Sequence, residues 1–499
     1  MPNLPAFVAD YLKTSRKWPA TLASAITLIF FLCTSAGLTL SAQTLTLSEE
    51  IPIRADTEYH LVGKLGGRTM LLQDRGTKFF LNAYDRRMQE SWEKELELRG
   101  RSVTILDIVA TQRDFKLLYL YRERGHLYLQ LDRYDPAANI QDSITLADIG
   151  YSLTTPRQEV VQSEDHSKSL IMLHNEPNRF TFFTIDLDSL EVMRRSVIQP
   201  EDFYYNQNFL QAEIANDGTA FFALERDNFV SRRKDHYYEI YQASPDTVSS
   251  VTYSQVHMGD SLTYDLFFRY DNLNERLVCG GLYTSRDLAR AEGYFYLSMA
   301  PDQPENRTLH FEAFDPELVS SMDGNRRRNR EGIEELAVRD LVLRRDGGML
   351  LITERNRQFE RRSTATQLQV VNNFVGRPLV DYHYDELLVL SVHPDGQPHW
   401  HNVLHKRQYS QDDGGAYSSF FLLRSPQRLH FLFNDDVRLE NTVSEYVLDG
   451  YGESDRNSLF HTRDLELRLR FRSGVQVAAN ELVVPSERRN RLRLVTMTY

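Results

Sequence analysis

Four short apolar runs follow one another between residues 103 and 148: VTILDIVAT (103–111), FKLLYLY (115–121), HLYLQLD (126–132) and DSITLAD (142–148). Each is rich in Val, Ile, Leu, Tyr and Phe. Asp, Gly, Asn and Ser separate them, the composition of strands joined by hairpins. The third run ends at a turn marked by Asp135, and the same signal recurs elsewhere. It falls at Asp85 after KFFLNAY, Asp188 after FTFFTIDL, Asp246 after YYEIYQASP, Asp302 after YFYLSMAP and Asp395 after LLVLSVHP. The spacings are 135−85=50, 188−135=53, 246−188=58, 302−246=56 and 395−302=93. A steady interval broken once reads as a repeated four-stranded unit with one large insertion. Such a unit cannot bury its apolar face alone, so a ring of stacked units is expected.

The expected fold is therefore all-β, a β-propeller of four-stranded antiparallel blades. Third strands number six at the Asp anchors, with a seventh placed at LELRLRF (465–471). Second strands number eight, from TMLLQD near Met70 to RLRLVTMTY at the end of the sequence. Seven blades is the first choice and eight the second. Closure should join the last strands to something near the N-terminus, because a ring protects its edge strands.

Lys13, Arg16 and Lys17 precede an uncharged stretch from Trp18 to Ser48, followed within it by the small residues Thr34, Ser35, Ala36 and Gly37. That order is a secretory signal peptide. Residues 1–42 are read as the signal, with Gln43 as the new N-terminus, and residues 43–499 as a single propeller domain. Export to the periplasm, the cell surface or the medium is expected. A membrane association arises only if the segment stays uncleaved as an anchor. Cleavage would remove Cys33 and leave Cys279 alone, so a large core rather than a disulfide must carry stability. It would also remove three basic residues and Asp10, taking the net charge from −12 to −12−2=−14. An acidic chain argues against a nucleic-acid partner.

Insertions are expected near 320–332, 355–386 and 435–464. In a blade with strands A to D, the B–C and D–A connections share one face. The Asn325–Arg330 link, the Arg355–Arg362 stretch, the Lys406–Gly415 segment and the Asp435–Asp455 stretch should then emerge together. Candidate binding residues are Arg355, Lys406, Arg407, Asp412, Asp413 and Tyr417. Paired cations, adjacent carboxylates and two glycines could hold a polar ligand. The competing reading is a turn in which Asp caps its own backbone while Lys or Arg pins the loop.

No catalytic residue is assigned. GxSxG, HExxH, Walker A and GxGxxG signatures are missing from the sequence. His399, His401 and His405 cannot readily converge from one strand on a tetrahedral metal, and Cys279 reads as a buried thiol. No metal and no cofactor is expected.

RDLVLRRDGGMLLITE (339–354), YDELLVLSVHPDGQPHW (384–400) and KRQYSQDDGGAYSS (406–419) resemble segments of exported β-propeller-like proteins of Gram-negative bacterial envelopes. The likeness covers about residues 333–434. It implies fold and export, and brings no reaction with it. Two functions are carried forward: a binding or scaffold propeller that engages an envelope protein or glycan through the charged loops of units six and seven, and a carbohydrate-active hydrolase with carboxylates lining the central channel.

Overall fold

The sequence alternates on both faces of its strands, and a computed structural model shows what that double alternation builds. The structure describes residues 43–499 except 55–56, 230–234, 247–249, 287, 324–331, 362–378 and 438–441. Among the described residues, eight sheets of four principal antiparallel strands follow one another along the chain. First strands of successive blades contact each other, which places strand A innermost. The molecule is a β-propeller of eight blades.

Strands B and C of each blade bury both faces. In blade three, Ile171 and Leu173 of strand B (Lys168–Glu176) pack toward Leu118 and Leu120 of blade two. The intervening Leu170 and Met172 pack with Phe222 and Leu224 of blade four. Phe221 and Ala223 in turn meet Cys279 and Phe295 of blade five. A continuous apolar run is what a strand buried on both faces requires. Cys279 is fully buried there, and burial pushes its thiol well up from the usual range.

The recurrent Asp is a hairpin device. Asp135 Oδ1 accepts from the backbone N–H groups of Ala137 and Asn139, both at 2.8 Å. Asp85 does the same for Arg87 (2.8 Å) and Gln89 (2.9 Å). Met88 and Ala138 take φ of 59° and 58° to close these turns between strands C and D. In blade three the capping carboxylate is Asp186 rather than Asp188, bonded to Asp188 N and Ser189 N.

The count of blades corrects the preferred seven to the second choice of eight, and two assignments explain why. Residues 465–471 are not a strand. They form turns and irregular chain with one bridge, Leu469 to Ser486, and run into a 3-10 helix at Phe471–Ser473. Leu467, Leu469 and Phe471 are buried with period two beneath the last blade, which imitates a strand. The third strand of blade seven is instead Thr442–Asp449, ending at a turn where Asp449 Oδ1 binds Tyr451 N and Glu453 N. Its spacing, 449−395=54, restores the interval. The expected connection at 435–464 is thereby filled by strands Thr442–Asp449 and Ser454–His461. Likewise Arg491–Thr498 is a third strand, paired to the second strand Glu481–Arg488. Of the insertion at 355–386, both flanks are strand: Met349–Arg361 and Leu379–Val392 pair as one long hairpin.

Blade eight is completed by residues 44–52. Strand Thr44–Leu47 lies outside Arg491–Thr498, and Ile51–Pro52 pairs with Leu492 and Arg491. Ser48 N donates to Leu494 O (2.9 Å) and Leu494 N to Ser48 Oγ (2.8 Å). Behind this seam Ile51, Leu492 and Leu494 pack on Leu71 and Tyr84 of blade one. Deleting residues 43–52 should lower the thermal midpoint and promote aggregation through the bared edge of Arg491–Thr498. Leu494→Ala should cost about 2–5 kcal/mol in urea unfolding, and a cost under about 1 kcal/mol would exclude the seam from the cooperative unit.

Candidate functional site: the blade six to seven face

Hairpin alternation puts the B–C and D–A connections at one end of the ring. The link from blade six to blade seven, expected as a loop, is partly strand: Gln408–Gln411 pairs with Asp381–Tyr384 and widens blade six at that end. This fixes the candidate segment on a rigid ledge.

Lys406 lies beneath that ledge. It is fully enclosed, and its Nζ meets Glu354 Oε1 at 2.6 Å, with Tyr384 O at 3.1 Å and Gln408 Oε1 at 3.0 Å. The other Glu354 oxygen receives Arg339 Nε (2.8 Å) and Ser419 Oγ (2.7 Å). Gln408 Nε2 reaches Asn434 O at 2.7 Å, and Ser419 N donates to Gln408 Oε1 at 2.7 Å. Burial draws the Lys406 ammonium below its usual range, opposed by the adjacent Glu354 charge. Arg339 and Glu354, Tyr384, and Lys406 and Gln408 come from the three quoted strings in turn, so those strings converge on one buried polar node. Lys406 is unavailable to a ligand.

The other candidates separate by environment. Arg355, on strand Met349–Arg361, donates from NH1 to Met322 O (2.8 Å) at the end of helix Pro316–Asp323. Asp412 is exposed, but its Oδ1 accepts from Val380 N (2.8 Å). Asp413 caps the turn, bonding Ser410 Oγ (2.8 Å) and Gly415 N (2.9 Å). Gly415 stands at φ 68°, where a Cβ would come within 2.7 Å of the Tyr384 hydroxyl. Tyr417 lies under the Arg468 guanidinium at 3.6 Å and donates to Glu487 O at 3.3 Å. Arg407 is exposed, with no hydrogen bond or ion pair among the described residues. The structure thus groups Arg407, Asp412 and Tyr409 at the ledge surface and assigns Lys406 and Asp413 to its support.

Two expected companions differ. Asn325–Arg330 and Arg362 lie outside the described residues. Asp435 is at the B–C connection of blade seven, held by Arg456 NH2 at 2.6 Å. Glu453 lies in the C–D turn and Asp455 at the start of strand Ser454–His461, so both lie at the other end of the ring, because Thr442–Asp449 is a strand rather than part of a loop.

The ledge also holds a cation between acids: Arg357 bonds Asp385 and approaches Glu335 at 3.4 Å. Burial, then the charges of Arg357 and Arg407, keeps His383 below the usual imidazole range.

Inner strands carry a second pattern that short-motif reading missed. Strands A of blades two to six each contribute a carboxylate: Asp107, Glu159, Glu213, Asp265 and Asp340. Arg269 joins two of them, at 3.3 Å from Glu213 and 3.8 Å from Asp340, and Arg424 of blade seven bonds Asp340. Burial outweighs Arg269 and pushes Glu213 up to about 7. Only the ring brings these residues together, since one carboxylate per unit has no distinctive local sequence.

No protein-family model and no curated protein matches the sequence. Solved structures do resemble it. The Dos1 propeller is 10% identical with a TM-score of 0.43, covering 90% of this chain and 95% of that one. The Nup133 β-propeller domain of Vanderwaltozyma polyspora is 8% identical with a TM-score of 0.40, covering 92% and 99%. A prolyl endopeptidase is 11% identical with a TM-score of 0.39 over 89% of this chain, which spans 55% of that protein's length.

Removing one member of a buried pair strands the other charge, so Lys406→Ala should cost about 3–5 kcal/mol. Arg407→Ala should change stability by less than about 0.5 kcal/mol; equal losses in denaturant titration would contradict the division into support and surface. For Glu213, the folded carboxyl holds its proton up to about 7 against an ordinary value of 4.5. Stability should therefore fall as pH rises from 4.5 to 7 and level off above, by at most about 3 kcal/mol. Glu213→Gln should lack this decline, and superposed pH–stability curves would refute the assignment.

Proposed function

We propose that this chain is an exported binding or scaffold propeller of a Gram-negative cell envelope, engaging a protein or glycan through the blade six to seven face. The observation that carries the reading is Arg407: an exposed cation with no ion-pair partner among the described residues, on a ledge that a buried ion pair and an added strand hold rigid. Recognition favours such an arrangement, because a fixed charge loses little conformational freedom on binding. Export follows from the order of basic, apolar and small residues in 1–42, which lie outside the described residues.

A carbohydrate-active hydrolase remains a second reading, favoured by the inner-strand carboxylates of five blades. In it Glu213, whose carboxyl titrates near neutrality, would serve as the proton donor.

Arg407→Glu should reduce retention of envelope partners by the immobilised protein by about tenfold, the size of one lost charge-assisted contact, with the thermal midpoint unchanged. The exported protein should begin at Gln43 in N-terminal sequencing. Undiminished retention by Arg407→Glu would overturn the assignment of the face. Loss of glycan hydrolysis in Glu213→Gln, against a hydrolysing wild type, would establish the second reading instead.

A further inference from the structure

A cavity of about 580 Å³ opens between blades eight and one, at the end of the ring that carries the B–C and D–A connections. Its wall is built from the approach to strand A of blade one (Glu58–Leu65), the link into blade eight and the hairpin between Glu481–Arg488 and Arg491–Thr498. Among the described residues the charged lining is Arg54, Arg470, Arg488 and Arg489 against Glu58 and Glu487, a balance of 4−2=+2 on a chain whose net charge is −12.

These cations are not all spent on the protein. Arg470 uses one terminal nitrogen, NH1, on Glu487 and on the Tyr59 hydroxyl (3.3 Å), while Tyr59 itself donates to Glu487. This trio orients the guanidinium, whose buried Nε has no hydrogen-bond partner among the described residues. Arg54 and Arg489 are exposed at the rim, and neither side chain has an ion-pair partner among the described residues. Arg489 and Asn490 both hold positive φ, 49° and 61°, in the hairpin that presents them. Tyr417 forms part of the wall, with Arg468 fixing its ring at 3.6 Å.

Size and lining restrict the ligand. The volume falls within the range of small-molecule sites, about 300–1,000 Å³, far beyond what a lone inorganic anion fills. Between the cations stand donors and acceptors, His60, Ser473 and Asn490, which match hydroxyl groups rather than an apolar body. Guanidinium forks fit carboxylate and phosphate oxygens alike.

We propose that this cavity binds an anionic sugar, a sugar acid or sugar phosphate, with its carboxylate or phosphate held by Arg489, Arg54 and Arg470 and its hydroxyls by the polar wall. This goes beyond the partner-binding face of blades six and seven and does not depend on it. Calorimetric titration of the full chain with glucuronate, glucose 6-phosphate, glucose and inorganic phosphate tests it. Glucuronate or glucose 6-phosphate should bind at least about tenfold more tightly than glucose or phosphate, and Arg54→Ala with Arg489→Ala should remove about that factor. The thermal midpoint should not move, and Arg407→Glu should leave the titration unchanged. Equal binding of glucose, equal binding of phosphate alone, no binding by either anionic sugar, or indifference to the double substitution would each overturn the proposal. Failure of the Arg407 test with success here would separate the two readings.

Discussion

Burial on both faces of every middle strand is the constraint from which the rest follows. Ile171 and Leu173 turn toward one neighbouring blade, Leu170 and Met172 toward the other. A sheet with two apolar faces is stable only between two others, so the series ends only by closing on itself. Closure falls to the residues around Ser48 and Leu494, where backbone and side-chain hydrogen bonds join the two ends of the propeller chain over an apolar seam. At about 25 cal/mol per Å² of apolar surface, the inter-blade interfaces supply the stability of the described residues, whose one cysteine, Cys279, is a buried free thiol.

Inner strands face each other without sharing a hydrogen-bond ladder, and side-chain amides bridge them. Gln211 exchanges two bonds of 2.9 Å with the backbone of Phe268, and Gln476 does likewise with Arg424 at 2.8 and 3.1 Å. Gln162 reaches Asp107 at 2.6 Å. The run Glu213, Arg269, Asp340, Arg424 extends the same bridging through charge across blades four to seven. Such contacts set registry between blades that apolar packing alone leaves free to slide.

Charge is distributed unevenly between the two ends of function. At Glu354 and Lys406 two buried charges are matched, because an unpaired charge inside would cost several kcal/mol. Arg407 at the ledge of blade six, and Arg54 and Arg489 at the cavity between blades eight and one, are exposed cations with no ion-pair partner among the described residues. On an acidic chain these positions are where anionic or acidic partners are attracted rather than repelled.

The sequence by itself determined the architecture and the spacing of its turns, because strand alternation and the Asp turn are local: four residues of backbone suffice for Asp135 to bind Ala137 and Asn139. It also made the segment 406–419 conspicuous. It could not separate Arg407 from Lys406, adjacent residues of like charge, one in solvent and one enclosed by a glutamate 52 positions earlier (406−354=52). Leu467, Leu469 and Phe471 show the converse failure, since burial with period two marks a strand only if a partner ladder exists, and tertiary packing supplied none. The blade count turned on the same point: blade eight takes one strand from the opposite end of the sequence. The cavity lay wholly beyond local reading. Tyr59 and Glu487 are 428 residues apart, and only ring closure sets one against the other.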